Sequence, residues 1–290
     1  MTRDAGRVCG LSGLTVHAQL PGARRGDWVR IDREREPLDA EVIGFDDQRV
    51  TLMPLGDAHG VGLGDPVVYM GDALRVQCGD GLLGRVVDGM GRPIDGGPAL
   101  VGQAWAVQRR PPAALDRPRI SRVLTTGVRA IDALCTVGEG QRVGLFAPAG
   151  AGKTSLLAQL ASEASADVIV TCLVGERGRE LNEFIDDALG RDARSRSVVV
   201  SATSDASPLE RVKSAHVATT FAEYFRAQGK SVLLLVDSLT RLVRAAREVG
   251  LAAGEPPARR GYPASAFTSL APLLERAGLS REGSITAFYT

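Results

Sequence analysis

The sequence predicts an α/β protein: a small all-β barrel domain, then a parallel sheet covered by helices on both faces. Three observations predict it. Residues 7–95 break into short apolar runs (LTVHAQL, DWVRI, AEVIGF, RVTLMPL, PVVYM, LGRVV) punctuated by Pro-Gly and Gly-Asp pairs, and strands at such regular spacing read as a barrel or sandwich. After about Ser121, continuous apolar runs alternate with helix-length amphipathic segments, the pattern of a parallel sheet whose strands are buried on both faces. Between the two, from Gly96 to Pro118, Pro98, Pro111, Pro112 and Pro118 occur with little periodicity and mark a connection. The expected division is residues 1–96 for the barrel, 97–120 for the linker and 121–290 for the sheet domain.

Within the sheet domain the elements follow in order. Arg142–Phe146 reads as a strand leading into a Gly-rich turn. The next segment, KTSLLAQLASEA, sets Leu156, Leu157, Leu160 and Ala161 on one face at helical spacing. Residues 167–174 (DVIVTCLV) read as a strand and ELNEFIDDAL as one helix. Residues 197–202 (SVVVSA) give another strand, followed by a helix from about Pro208 to Gln228 with Gly229 as its C-cap. SVLLLVD (231–237) is a third buried run.

Composition narrows the function. The 290 residues are 44% apolar and 24% charged, ordinary globular values, and no apolar stretch approaches the ~20 residues of a membrane-spanning helix. No signal-peptide h-region is visible in MTRDAGRVCG. Cys9, Cys78, Cys135 and Cys172 lie far apart with no Cys-x-x-Cys pair, which fits a reducing compartment better than a disulfide framework or zinc site. Residues 1–100 hold 11 basic against 15 acidic side chains and the remainder 24 against 19. That asymmetry is modest, and with only 4% aromatics it argues against nucleic acid as a partner. His17, His59 and His216 form no ligand or catalytic arrangement. Only three residues are lysine, and one of them, Lys153, sits in the Gly-rich turn.

That turn carries the strongest signal, APAGAGKT from Ala147 to Thr154, with Ser155 following. Gly150 and Gly152 let the backbone of Ala149–Gly152 fold into a nest of inward-pointing N–H groups. The helix beginning near Lys153 adds its positive dipole end. Lys153 then reaches the terminal phosphates of a nucleoside triphosphate and the Thr154 hydroxyl ligates Mg²⁺. The loop departs from the common pattern in having Ala147 where Gly is usual. Asp237, at the tip of a buried run, suits a metal-holding carboxylate, although an N-cap for DSLTR explains it equally. GERGRE (Gly175–Glu180) follows the 167–174 run at the strand end where open α/β sheets place their sites. There Glu176 can polarise a water and Arg177 can neutralise phosphate charge; taken alone, Glu176 is a solvated loop residue. GDGLLG (79–84) matches a dinucleotide fingerprint, but no helix follows it, so a turn is the better reading.

With these pieces in hand, the chain resembles the ATPases of bacterial type III secretion systems, the injectisome and flagellar export group, which are similar in turn to the rotary ATP synthase β subunit. GDGLLGRVVDGMGRPIDG, TGVRAIDAL, GQRVGLFAPAGAGKTSLL, LVGERGRE, SATSD…ERVKSAHVATTFAEYFRAQGKSVLLLVDSLTR, REVGLAAGEPPARRGYP and GSITAFYT carry the resemblance. It implies a β-barrel domain and a RecA-like P-loop NTPase core that hydrolyses ATP with Mg²⁺ as a homohexamer. Lys153 and Thr154 become the phosphate and metal residues, Asp237 the second metal residue, Glu176 the catalytic carboxylate with Arg177 beside it, and Arg241 a residue near the phosphates. Implied partners are the stalk and stator proteins of an export apparatus, with secretion substrates or chaperones. The implied location is cytoplasmic, at the inner-membrane face, with membrane association only through partners.

SATSDASPLERVKSA is closer to the injectisome branch than to the flagellar one. A rotary-synthase-type catalytic subunit and an ATP-binding fragment without turnover are the competing readings. Members of the group continue beyond the point matching Thr290, so the resemblance carries the expectation of a C-terminally incomplete core with an exposed sheet edge.

Overall fold

A computed structural model describes residues 6–34, 36–46, 49–71, 73–148 and 150–290. The chain divides into two compact units, residues 1–75 with 206–210 and 243–268, and residues 76–205 with 211–242 and 269–290.

In the first unit six antiparallel strands close into a barrel: β1 (Gly6–Ser12), β2 (Thr15–Gln19), β3 (Trp28–Ile31), β4 (Leu38–Phe45), β5 (Val50–Pro54) and β6 (Pro66–Gly71), in the order β1-β2-β5-β4-β3-β6. Alternation decides which side chains fill it. Val29 and Ile31 of β3 are buried between half-exposed Trp28 and Arg30, and they join Val8, Val16, Ala18, Val42, Leu52 and Val67 in the interior. Closure leaves the barrel no free edge.

In the second unit a short ribbon pairs β7 (Arg75–Cys78) with β9 (Gln103–Ala106), and β8 (Val86–Asp88) lies between them in sequence. The pair β10 (Val123–Leu124) and β11 (Val137–Gly138) flanks helix α1 (Arg129–Leu134). Then come β12 (Arg142–Gly144), α2 (Lys153–Glu163), β13 (Val168–Val174), α3 (Gly178–Glu183) and α4 (Arg191–Ser195). They are followed by β14 (Ser197–Ala202), α5 (Pro208–Ala227), β15 (Ser231–Asp237) and α6 (Leu239–Ala252). Most of α6 and all of α7 (Ala264–Thr268) belong to the first unit, and the second resumes with α8 (Leu270–Leu274), β16 (Gly278–Leu279) and β17 (Ser284–Tyr289). The main sheet runs β12-β17-β15-β13-β14-β8, all parallel, with β16 antiparallel on β17.

Every residue of β13, β14 and β17 is buried, as continuous apolar strands between helices require. On one face Leu157, Leu160 and Ala161 of α2 pack with Ile169, Leu173, Leu233, Leu235 and Phe288. Each fully buried side chain of this size contributes about 1.5–3 kcal/mol. α5 ends as its sequence predicts, with Gly229 at φ +81°.

Three differences from the sequence reading stand out. The expected barrel boundary at residue 96 moves to about residue 75, because Val86–Asp88 pairs with β14 as an edge of the parallel sheet. The expected linker 97–120 contains β9 and belongs to the second unit. ELNEFIDDAL is not one helix: α3 stops at Glu183 and a π-helical turn spans Phe184–Ala188. β12 and β8 are the terminal strands of the sheet order, and Phe146 just beyond β12 is 93% exposed.

Candidate functional site

The site is built on the second unit, where β12, β13 and β15 hand over to the segments that follow them. β12 runs parallel to β17, and the ladder extends one residue further through Leu145 N–H donating to the Tyr289 carbonyl at 2.8 Å. The chain then turns through Gly150 at φ +78° and Gly152 at φ +84°, a left-handed conformation that costs a non-glycine residue roughly 1–2 kcal/mol. Gly152 is the N-cap of α2 and Lys153 its first residue. The first four N–H groups of a helix lack intrahelical partners, so the exposed turn of Thr154 and Ser155 presents donors and the positive dipole end to an anion.

A cleft of about 570 Å³ opens beside this turn, with Thr154, Ser155, Glu176, Glu180, Glu183 and Asp237 supplying its polar walls and Leu173 and Phe184 apolar ones. Asp237 ends β15 and lies in register with Leu173. It is only 6% exposed, and the Thr290 hydroxyl donates to its Oδ1 at 2.6 Å. Capping of α6 falls instead to Ser238, whose Oγ accepts the Arg241 N–H at 3.4 Å, so the alternative role considered for Asp237 is taken by its neighbour.

Glu176 follows Gly175, which sits at φ +69° and where a β-carbon would lie 3.2 Å from Arg241 Cδ. The Arg241 guanidinium lies 2.7 Å from Glu176 Oε2 and donates to the Gly175 carbonyl at 2.5 Å. The Glu176 side chain is 14% exposed. Burial pushes its carboxyl up to about 7; a hydrogen bond with Glu180 and the charge of Asp237 push the same way, and Arg241 opposes them. Glu180 shifts downward, chiefly through that same hydrogen bond and then through the Arg177 backbone N–H, which donates to its Oε2 at 3.3 Å.

Of the residues singled out in the sequence, Thr154, Ser155, Glu176 and Asp237 share the cleft, and Arg241 reaches it through Glu176. Lys153, half-exposed, directly precedes Thr154 but is not itself among the lining residues; Gly150, Ala151 and Gly152 form the exposed turn. Ala149 lies outside the described residues. Arg177 is exposed and is not part of the cleft wall; its backbone N–H donates to Glu180 Oε2. Sequence reasoning missed Glu180, Thr290 and Phe184. Glu180 alone had a signal, as the closing residue of the GERGRE segment that Glu176 opens.

The donor chemistry fits Mg²⁺. A hydroxyl from Thr154 and a carboxylate from Asp237 are hard oxygen donors on one cleft, and Mg²⁺ is commonly held by one or two such groups together with substrate phosphates and water. The arrangement joins an anion-binding helix start, a metal-compatible oxygen pair, a carboxyl tuned near neutrality and a guanidinium beside it.

A family model described as "ATP synthase alpha/beta family, nucleotide-binding domain" matches residues 127–290. The type 3 secretion system ATPase of Pseudomonas syringae pv. tomato is 49% identical over 297 residues, covering 99% of this chain and 66% of the relative. The flagellum-specific ATP synthase of Treponema pallidum is 49% identical over 288 residues, covering 98% of this chain and 64% of the relative. Thus the chain spans about two thirds of the length of these relatives. Among solved structures, the assembled ATPase EscN in complex with its central stalk EscO, from the enteropathogenic E. coli type III secretion system, superposes with a TM-score of 0.92. It is 47% identical, over 98% of this chain and 70% of that one.

Proposed function

The chain belongs to the ATP synthase alpha/beta family, and on that premise we propose that it binds Mg·ATP in the cleft beside Thr154 and hydrolyses it to drive protein export. The observation that carries this reading is the convergence of Thr154, Glu176 and Asp237 on one cleft at the ends of parallel strands.

In this reading the N–H groups around Gly150, Ala151 and Gly152, with Ser155, cradle phosphate oxygens, and Lys153 neutralises the β and γ phosphates. Thr154 and Asp237 hold Mg²⁺, which when bound offsets phosphate charge. Glu176, once ionised, accepts a proton from the attacking water. Arg241 orients Glu176 and supplies positive charge beside it; Arg177, exposed outside the cleft wall, would have to swing inward to neutralise phosphate charge.

The export role and the partners rest on likeness. High identity to a secretion ATPase and close superposition on EscN support work in a type III secretion apparatus, as an oligomer with a stalk partner. Identity to a flagellar relative is equally high, so the flagellar branch is retained as the second reading.

Glu176→Gln tests the core of the proposal. Phosphate release from ATP should fall by about 10²–10⁴-fold, the usual weight of a general base, while calorimetry still records Mg·ATP uptake. Lys153→Ala should abolish that uptake. Uptake unaffected by Lys153→Ala, or turnover unaffected by Glu176→Gln, refutes the assignment.

A further inference from the structure

Asp237 has a partner that the reaction set out above leaves without a role. The strand order β12-β17-β15 sets β17 between the strand that delivers the phosphate-binding turn and the strand that ends in Asp237. Val236 pairs with Tyr289, so the next residue along, Thr290, arrives beside Asp237. Its backbone is fastened on both sides of that carboxylate. The Thr290 N–H donates to the Val236 carbonyl at 3.1 Å, and the Thr290 carbonyl accepts the Leu239 N–H at 2.7 Å. Its hydroxyl donates to Asp237 Oδ1 at 2.6 Å, and both residues are buried.

A hydroxyl that donates to a carboxylate at this distance makes a charge-assisted bond, stronger than one between neutral groups. Threonine is branched at Cβ and stiff at χ1, so the two backbone bonds also aim its hydroxyl. An aspartate carboxylate, by contrast, turns about two side-chain torsions unless something stops it. Among the described residues no second donor reaches the Asp237 carboxylate. Oδ2 therefore keeps its capacity to accept from a hard cation or from water bound to one. Groups that hold a metal ligand in place matter nearly as much as the ligand, and losing one costs about 10- to 100-fold in metal affinity or activity.

We infer that Thr290 is the positioning residue for Asp237, pinning Oδ1 so that Oδ2 stays available to Mg²⁺ in the cleft shared with Thr154. The inference rests on the metal role proposed above for Asp237. Thr290 touches neither nucleotide nor metal in this scheme; its action passes entirely through Asp237.

The test compares Thr290→Val, which keeps the branched shape and loses the hydroxyl, with Thr290→Ser and the unaltered chain. Mn²⁺ replaces Mg²⁺ because electron paramagnetic resonance counts the free ion, and ADP is the nucleotide so that no turnover intervenes. With ADP saturating, the Mn²⁺ dissociation constant should rise about 10- to 100-fold in Thr290→Val. Calorimetry in EDTA should record an unchanged affinity for metal-free ADP. Thr290→Ser should bind Mn²⁺ nearly as the unaltered chain does, since its hydroxyl still donates. A crystal structure of nucleotide-free Thr290→Val should show the Asp237 carboxylate turned or in more than one rotamer, a readout that needs no metal. Thr290→Ala takes the place of Thr290→Val if the latter does not fold, with the same losses expected. Unaltered Mn²⁺ affinity, an equal loss of metal-free ADP affinity, a Thr290→Ser as weak as Thr290→Val, or an Asp237 side chain still fixed in place would each overturn the inference. Failure of the parent reading looks different: the unaltered chain itself would hold no Mn²⁺ with ADP, or Asp237→Ala would hold it as tightly, while the rotamer result would still judge Thr290.

Discussion

Arg276 offers the sharpest test of how the second unit is held together. Its side chain is among the largest fully buried ones in the protein, the residue being 1% exposed. Its guanidinium donates to both carboxylate oxygens of Glu223, at 2.9 and 2.8 Å, to the Val107 carbonyl at 3.0 Å and to the Thr220 hydroxyl at 2.9 Å. Glu223 is 4% exposed and supplies the only negative charge among those acceptors. Glu223→Leu therefore leaves Arg276 with neutral partners alone and also takes the carboxylate from buried Arg226 at 4.0 Å, and breaking a buried pair in this way costs about 3–5 kcal/mol. For a unit of this size each kcal/mol corresponds to about 2–4 °C in Tm. The melting transition should then fall by roughly 6–20 °C. Trp105 lies in the second unit and Trp28 in the barrel, so urea titration followed by fluorescence in a Trp28→Phe background reads the relevant transition. The paired change Glu223→Leu with Arg276→Met removes both charges but leaves buried Arg226, 4.0 Å from Glu223 Oε1, without that carboxylate, so it should recover part of the loss, since well-packed apolar replacements of a buried pair are often neutral. A single substitution costing under about 1 kcal/mol, or a double one costlier than the single, would refute the reasoning.

Two further outcomes follow from the cleft. Burial, before the Glu180 hydrogen bond and the Asp237 charge, holds the Glu176 carboxyl up at about 7. A base works only when ionised, so kcat/KM for ATP hydrolysis should decline as pH drops through about 7; an acid limb near the ordinary carboxylate range would contradict this. The same shift weighs on stability with the opposite sense: the folded chain holds this proton more tightly than the unfolded one, so that contribution is complete below the unfolded pKa and is lost as pH rises through about 7. Gly175→Ala places a methyl group 3.2 Å from Arg241 Cδ at a residue with φ +69°. It should destabilise the second unit by about 1–2 kcal/mol and lower turnover by displacing Arg241 from Glu176; an unchanged melting curve would count against it.

The loop from Ala147 to Thr154 was legible because its chemistry is local: glycines, one lysine and one hydroxyl act within eight positions. β13 and β15 were legible because burial on both faces writes a continuous apolar run. What escaped reading depends on partners distant in the chain. Val86–Asp88 is three residues long, too short to show a period, and its place beside β14 is set by residues more than a hundred positions later. The π-helical turn at Phe184–Ala188 leaves no mark in the helical spacing of ELNEFIDDAL. Arg276 carries the residue type most often found on surfaces, and nothing in its neighbourhood announces that Glu223 lies waiting for it. In the cleft, Glu176 became more than a solvated loop residue only through Arg241 and Glu180, the first of them 65 positions away.

The strand order has a consequence for the growing chain on the ribosome. Among the described residues β12, which delivers the loop before Lys153, joins the sheet only through β17, and Leu145 is tied to Tyr289. At translation speeds of about 5–20 residues per second, β12 must wait some seven seconds or longer before its neighbour emerges. Through that interval the leading half of the nucleotide cradle has no sheet to stand on, while β13, β14 and β15 can already align. Assembly of the pocket is thus a late event in biosynthesis, and a nascent chain stalled before Ser284 should be unable to retain nucleotide however well its earlier strands have set.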